Sequence, residues 1–219
     1  MNNIPWPSIH KLDKIEATEE NPVPVPLIED YLFEDMWYLD TVQASPIFEK
    51  QADIIIQKQC KGIVDVGCRH GPVVEILHNR GYTDFQYMGF DTSIEPIDIA
   101  NTTWDNFNNV EFRNTSWDDI DSIKVNFDVD MVIWSGVLLY RPNDHYELFK
   151  NITVDLYNSP NAIIQEPMPS EKQVHWDRRL LLNTIATDLD KYYVNHTIQH
   201  YDISCEIFSG NRLVLDICI

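Results

Sequence analysis

The feature that most constrains the fold is a glycine-containing turn set between an apolar run and an amphipathic run. Residues 62–71 read GIVDVGCRHG, and residues 72–81, PVVEILHNRG, have helical spacing that ends at Gly81. Glycine at the end of a strand lets the backbone turn sharply and lets a ligand approach closely. The sequence therefore predicts a strand, a ligand-accessible turn and a helix at this point.

Strand-like and helix-like runs continue to alternate after this unit. The predicted strands are FQYMGFD, VEFRN, FDVDMVIWS and NAIIQE, and the predicted helices start at Ser93, at Asn143 and at Glu171. Two β-rich runs, 196–208 and 212–219, are joined by Ser209-Gly210-Asn211, a loop typical of a hairpin. The pattern predicts an α/β fold whose seven-stranded sheet is mostly parallel, with helices on both faces and a C-terminal antiparallel hairpin.

The N-terminal part has a different composition. Residues 1–27 are rich in proline, which favours extended or irregular backbone, and Ile28–Tyr38 has helical spacing. A second helix, Ser45–Lys58, is predicted to open with Ser45 as its cap and Pro46 at its first position. We therefore predict an arm with a lid helix over residues 1–44 and a single α/β domain over residues 45–219.

The charge of the chain limits its partners. Lys and Arg number 16 and Asp and Glu number 35, which gives a formal net charge of −19. Binding to nucleic acids or to anionic membrane surfaces draws on clustered Lys and Arg, so neither is an expected partner. Because no apolar run approaches the roughly 20 residues of a membrane helix and the N-terminus lacks a secretory pattern, a cytoplasmic location is expected.

The four cysteines show no metal-binding spacing. Cys60, Cys68, Cys205 and Cys218 form no CxxC pair and no cluster with histidine, so no metal site is predicted.

Two further segments place polar residues directly after predicted strands. Asp91 ends the second strand, where a carboxylate can accept hydrogen bonds from both ribose hydroxyls of an adenosine ligand. Ser116-Trp117-Asp118 follows the third strand. There a carboxylate can accept from an adenine amino group while the indole covers the ring face.

Together these segments resemble the class I S-adenosylmethionine-dependent methyltransferase family. DVGCRHG is similar to its glycine-rich first motif, GFDTS to its ribose-binding motif, NTSWDD to its adenine-contacting loop, and FDVDMVIWSGVLLY to its fourth strand beside the methyl group. The resemblance covers residues 45–219. It implies a Rossmann-like fold, S-adenosylmethionine as the cofactor and methyl transfer as the activity.

The resemblance also implies a set of cofactor-binding residues. They are Asp65, Gly67, Cys68, Arg69, Gly71, Asp91, Thr92, Ser116, Trp117, Asp118, Trp134 and Ser135. Arg69 departs from the family, which has glycine there, although its guanidinium can face the carboxylate of the ligand. Asp65 as a turn cap, Asp118 as a solvated helix start and Trp134 as a core residue remain alternatives. A nicotinamide dinucleotide is disfavoured, because the turn lacks the G-x-G-x-x-G spacing.

Three residues beyond the cofactor motifs are candidates for catalysis. Histidine has a reference pKa near neutrality, so His145 can act as a general base. Glu166 ends the fifth strand, and Tyr140 follows the fourth. A surface histidine and a solvated carboxylate are the alternatives.

The predicted methyl acceptor is a small molecule that is methylated on oxygen or nitrogen. Methyltransferases that act on DNA amino groups resemble one another in an Asn/Asp-Pro-Pro-Tyr/Phe motif, where this chain has Trp134-Ser135-Gly136-Val137. A protein or RNA substrate, and a non-catalytic binding module, remain alternatives. The sequence does not predict an oligomeric state.

Overall fold

A computed structural model of the chain describes residues 41–138, 145–167, 187, 197–205 and 210–219. Within these ranges the elements follow in the order α1 (Thr41–Lys58), β1 (Gly62–Val66), α2 (Pro72–Asn79), β2 (Gln86–Asp91), α3 (Ile94–Trp104), β3 (Val110–Asn114), β4 (Met131–Ser135), α4 (His145–Phe149), a π-helix (Lys150–Leu156), β5 (Asn161–Pro167), β6 (Thr197–Cys205) and β7 (Gly210–Cys218).

The strands described here form one sheet in the order β3-β2-β1-β4-β5-β7-β6. The first five strands run parallel to one another, and β7 runs antiparallel to both β5 and β6. The predicted α/β fold, with its seven strands and its terminal antiparallel hairpin, is confirmed. Because the parallel strands share a direction, the carboxyl ends of β1 to β5 meet at one edge, where open sheets of this kind bind ligands.

The central strands are covered on both faces, as a parallel sheet requires. All five residues of β1 are buried. Since side chains alternate along a strand, Ile63 and Asp65 face one side, where α1, α2 and α3 pack. Val64 and Val66 face the other side, where α4 and the π-helix pack. The first of these two sides is called the α1 face below.

The first helix begins earlier than predicted. It starts at Thr41, so Pro46 lies inside it and not at its first position. Proline removes one backbone donor, but here the loss falls about one turn from the helix start. The apolar stripe that follows compensates, since Ile47, Phe48 and Ile55 are all buried.

Two other elements differ in their limits. β4 starts at Met131 and not at residue 127, because the Asp130 carboxylate turns back to accept hydrogen bonds from the backbone N–H groups of Lys61 and Gly62. The helix predicted from Asn143 is described from His145 and continues as a π-helix. The helices predicted at 28–38 and 171–192 lie outside the described residues, apart from Thr187.

Among the residues that the structure describes, no helix combines the length and the apolar character needed to cross a membrane.

Candidate functional site

The turn between β1 and α2 is built from left-handed backbone. Gly67 has φ +78°, Arg69 φ +54° and Gly71 φ +77°. Arg69 thus adopts the conformation that glycine favours, at a cost of roughly 1–2 kcal/mol for a residue with a Cβ. The turn therefore has left-handed backbone at all three positions, although one of them is not glycine.

The turn is packed tightly against β2 and β3. A Cβ atom added to Gly71 would lie 2.5 Å from the Phe112 ring, and one added to Gly89 would lie 2.7 Å from Cys68 Sγ. The backbone N–H of Gly67 donates to the carbonyl of Phe90 at 2.9 Å. Small residues at these positions are therefore required for the turn to lie on the sheet.

Asp91 ties the turn to the start of α3. Its Oδ2 accepts from the Arg69 backbone N–H at 3.1 Å, and its Oδ1 accepts from the Ser93 backbone N–H at 2.8 Å. The residue is 9% exposed. Because each carboxylate oxygen has about two acceptor sites, each retains one for a ligand. A pair of neighbouring hydroxyls is the ligand group that fits this arrangement.

Asp65 lies beneath the turn with one carboxylate oxygen unsatisfied. The Tyr87 hydroxyl donates to its Oδ2 at 2.8 Å, whereas its buried Oδ1 has no partner. Burial raises the pKa of Asp65 to about 7; the Tyr87 hydrogen bond lowers it, and the nearby Asp91 charge raises it further. Asp65 therefore does not cap the turn, and its free oxygen suits a ligand that donates a hydrogen bond or carries a positive charge.

Cys68 is a structural member of the turn. Its thiol is 3% exposed, and burial together with the charges of Asp65 and Asp91 raises its pKa well above the ordinary value. A thiol that keeps its proton at neutral pH is a poor nucleophile. This agrees with a role for Cys68 as a small residue that offers backbone to a ligand.

The loop after β3 buries one of its predicted site residues. Trp117 is 5% exposed and packs in the core on the face opposite α1, and its contact with an adenine stays a prediction. Its ring adds to the apolar core, although its buried indole N–H has no hydrogen-bond partner. Around it, Ser116 is half-buried and accepts from the Asp118 backbone N–H at 3.2 Å, while Asp118 and Thr92 are exposed.

The end of β4 separates two predicted neighbours onto opposite faces. Trp134 is fully buried, and its indole N–H donates to Thr153 Oγ1 at 3.0 Å. It is thus a core residue, the alternative left open above, and its side chain does not line the predicted site. Ser135 lies on the α1 face, where its Oγ accepts from Gln51 Nε2 at 3.0 Å.

The three predicted catalytic residues remain predictions. Tyr140 lies outside the described residues. His145 begins α4, and Glu166 pairs with Leu213 across β5 and β7, but the description extends only to their backbones. Within the described ranges, no group of three or more His, Cys, Asp or Glu side chains is placed to hold a metal ion.

The structure adds polar residues that the motifs did not indicate. Gln51 and Gln165 are 1% and 2% exposed and lie on the α1 face near Ser135. Both interrupt apolar patterns: Gln51 falls on the stripe of α1, and Gln165 falls two positions after Ile163 in β5. These two residues could have been found from the sequence, because each is a polar residue at a position where the helix or strand periodicity predicts an apolar core residue.

No protein-family model matches this sequence. A search of curated proteins gives no match. Solved structures do resemble the fold. The methyltransferase domain of bacterial CtHen1 is 12% identical, with a TM-score of 0.63 over 81% of this chain and 100% of that one. TrmK of M. capricolum, in complex with S-adenosylhomocysteine, is 16% identical, with a TM-score of 0.54 over 78% and 67%.

The N-terminal domain of EvdMO1, solved with S-adenosylhomocysteine and D-fucose, is 12% identical, with a TM-score of 0.52 over 78% of this chain and 82% of that one. The chain described here therefore has a fold found in methyltransferase structures.

Proposed function

We propose that this chain is an S-adenosylmethionine-dependent methyltransferase. The observation that carries the proposal is the Asp91 carboxylate, fixed between the turn and α3 with one acceptor site free on each oxygen. It supports binding of a ribose through its two hydroxyls. The methyltransferase fold of the structural neighbours, two of which hold S-adenosylhomocysteine, supports the same cofactor.

The residues of the site suit the different parts of that cofactor. Asp91 would hold the ribose, and the backbone of Gly67 to Gly71 would lie against the chain that joins ribose and amino acid. The unpaired oxygen of Asp65 would accept from the ammonium group. Ser116 and Asp118 would stand beside the adenine, as in the resemblance drawn from the sequence.

When bound, the cofactor supplies a methyl group that its sulfonium charge has already activated. The work of the protein is then to hold the acceptor in line with that methyl group and to exclude water, and orientation alone can contribute several kcal/mol. A general base is needed only for an acceptor that carries a proton at neutral pH. His145, Glu166 and Tyr140 are our candidates for that role.

We further propose a small molecule as the methyl acceptor, methylated on oxygen or nitrogen. The net charge of −19 disfavours a phosphate backbone. One neighbour was solved with a sugar, D-fucose, beside S-adenosylhomocysteine. The replacement of a turn glycine by Arg69 would favour a non-catalytic binding module, but Arg69 adopts the backbone conformation that glycine favours, which weakens that alternative.

Calorimetry with S-adenosylmethionine and S-adenosylhomocysteine tests the cofactor. Wild type should bind both, and Asp91→Ala should bind about 10- to 100-fold more weakly, from the loss of charged hydrogen bonds of roughly 1.5–3 kcal/mol. Asp98→Ala, on the exposed side of α3, is the matched control and should bind as wild type does. Equal affinity in a folded Asp91→Ala variant would remove this residue from the site, and no binding by wild type would overturn the proposal.

A methyl-transfer screen over metabolites, peptides and RNA then tests the acceptor class. We expect transfer to a small molecule. Tight, salt-sensitive retention of RNA on filters by the wild-type protein would contradict that choice.

A further inference from the structure

Two buried glutamines and a half-buried serine lie together where α1 approaches the carboxyl ends of β4 and β5. We call Gln51, Ser135 and Gln165 the amide cluster. Gln51 donates to the Ser135 hydroxyl at 3.0 Å, and Ser135 lies beside Gln165 in the parallel register of the two strands. The two glutamines are 1% and 2% exposed. Burial this deep is unusual for glutamine and calls for a partner.

The cluster lies on the same face of the sheet as Asp65. Ile133 and Ile163, two positions before Ser135 and Gln165, both belong to the core of the α1 face. Since side chains alternate along a strand, the serine and the glutamine point to that same face. Asp65 shares it, because Ile63 packs in the same core.

One donor of the cluster has no acceptor. Gln165 Nε2 is buried and makes no hydrogen bond, although the residue is positioned by its backbone, whose carbonyl accepts from the Gly136 N–H at 2.8 Å. Leaving a buried amide N–H without an acceptor is unfavourable. A ligand oxygen would satisfy it.

The position of Gln165 distinguishes which ligand supplies that oxygen. β5 is three strands away from β2, which carries Asp91, and at about 4.8 Å per strand the separation is about 14 Å. A cofactor whose ribose is held at Asp91 extends over β1 toward β4. The group that reaches β5 then belongs to the second substrate.

We propose that Gln165 is a specificity-determining residue that donates its amide N–H to a neutral carbonyl oxygen of the methyl acceptor. Gln51 and Ser135 line the site beside it. The proposal rests on the proposed function and names the substrate class for it. The unsatisfied atom of Gln165 is a donor, so the ligand atom opposite it must accept a hydrogen bond, which an ammonium group cannot do. A carboxylate would meet the carboxylates of Asp65 and Asp91 and the overall charge of −19, which leaves the neutral carbonyl as the favoured partner.

The test uses three probes of one shape on the full chain saturated with S-adenosylhomocysteine. Benzamide, benzoate and benzylammonium are compared by saturation-transfer NMR and calorimetry. Wild type should bind benzamide at least tenfold more tightly than the other two. Gln165→Leu should lose that preference by tenfold or more, and Gln165→Glu should favour benzylammonium. Affinity for S-adenosylhomocysteine should stay within about twofold in both variants, because the cofactor residues are untouched.

Thermal unfolding of the ligand-free protein separates a binding role from a structural one. Gln165→Leu removes the unsatisfied donor and keeps the volume, so its Tm should equal or exceed that of wild type. Gln86 is an exposed glutamine at the amino end of β2, away from the carboxyl ends of the strands. Gln86→Leu is therefore the matched control and should bind the probes as wild type does.

Several results would overturn the inference. These are a lowered Tm in Gln165→Leu with loss of S-adenosylhomocysteine binding, equal benzamide binding in that variant, or no probe binding to the saturated wild type. If wild type fails to bind S-adenosylhomocysteine at all, the proposed function itself fails and this inference fails with it.

Discussion

The two halves of the carboxyl edge are built in different ways. At the β1–β2 half, backbone conformation makes the site: left-handed residues form the turn, and both oxygens of Asp91 are held by backbone N–H groups. At the β4–β5 half, side chains make it, and the donor of Gln165 is left unpaired. The first half is preorganised before any ligand arrives, whereas the second is completed by what binds there.

The largest effect that tests this comparison is expected from Gly71→Ala. The new methyl would lie 2.5 Å from the Phe112 ring at a φ of +77°, so strain and overpacking together should lower the free energy of unfolding by about 2–4 kcal/mol. Affinity for S-adenosylhomocysteine should fall by about 10- to 100-fold, because the displaced turn must be forced back on binding. Denaturant unfolding and calorimetry measure the two effects.

Gly81→Ala is the control for that substitution. Gly81 has a similar φ of +74°, but nothing lies within 4 Å of an added Cβ. It should lose only about 1 kcal/mol through strain and bind as wild type does. Equal losses at the two positions would mean that the packing of the turn is unimportant.

An intermediate effect is expected from the pH dependence of Asp65→Asn. The folded-state pKa of Asp65, about 7, lies above its ordinary value of 3.8, so the folded protein holds this proton more tightly than the unfolded chain does. Its contribution to stability is complete below pH 4 and is lost as the pH rises through 7. Relative to Asp65→Asn, the Tm of wild type should fall by roughly 3–8 °C between pH 4 and pH 7.

The same substitution tests whether a cation binds beside Asp65. A positive charge there would lower the pKa of the carboxyl group, so binding of S-adenosylhomocysteine at pH 7 should release a proton from wild type and none from Asp65→Asn. Calorimetry in two buffers with different heats of ionisation detects this. Parallel Tm profiles and no proton release would show that Asp65 is charged in the free protein.

The smallest effect is expected from Arg69→Gly. Relief of the left-handed strain should raise the free energy of unfolding by up to about 1 kcal/mol, since glycine gives back part of the gain as chain entropy. Affinity for S-adenosylhomocysteine should fall by about 3- to 10-fold with the loss of one charge-assisted contact. Affinity for 5′-methylthioadenosine, which lacks the carboxylate, should not change. An equal loss for both ligands would place the Arg69 effect in the turn and not in its guanidinium group.

The sequence predicted the features that are specified locally. β3 has the predicted limits, and β1 ends at Val66, one residue before the glycine that was predicted to end it. Asp91 could be found because its position at a strand end follows from the strand alone. The Pro46 position and the change to π-helical bonding at Lys150 were not predicted, since neither carries a local signal that distinguishes it from an ordinary α-helix.

The rest of the site depends on contacts that no local pattern encodes. Gln51 and Gln165 lie 114 positions apart (165 − 51) and share a face only because α1 docks on the sheet. Trp117 and Trp134 were assigned to the site by their motifs, although a motif does not state which side of the sheet a side chain occupies. Trp134 and Ser135 are neighbours in one strand, where side chains alternate, so the sequence could have predicted that they face opposite sides of the sheet.

The docking of α1 has a consequence for synthesis on the ribosome. Lys58 Nζ, at the end of the helix, lies 2.9 Å from Asp216 Oδ1, a residue translated 158 positions later (216 − 58). At about 5–20 residues per second, that partner emerges roughly 8–30 s after the helix. Until then the helix can be held by α2 and by Arg80, which directly follows α2 and contacts Glu49 and Asp53. Until β6 and β7, which α1 also contacts, have been translated, the apolar stripe of α1 is therefore only partly covered.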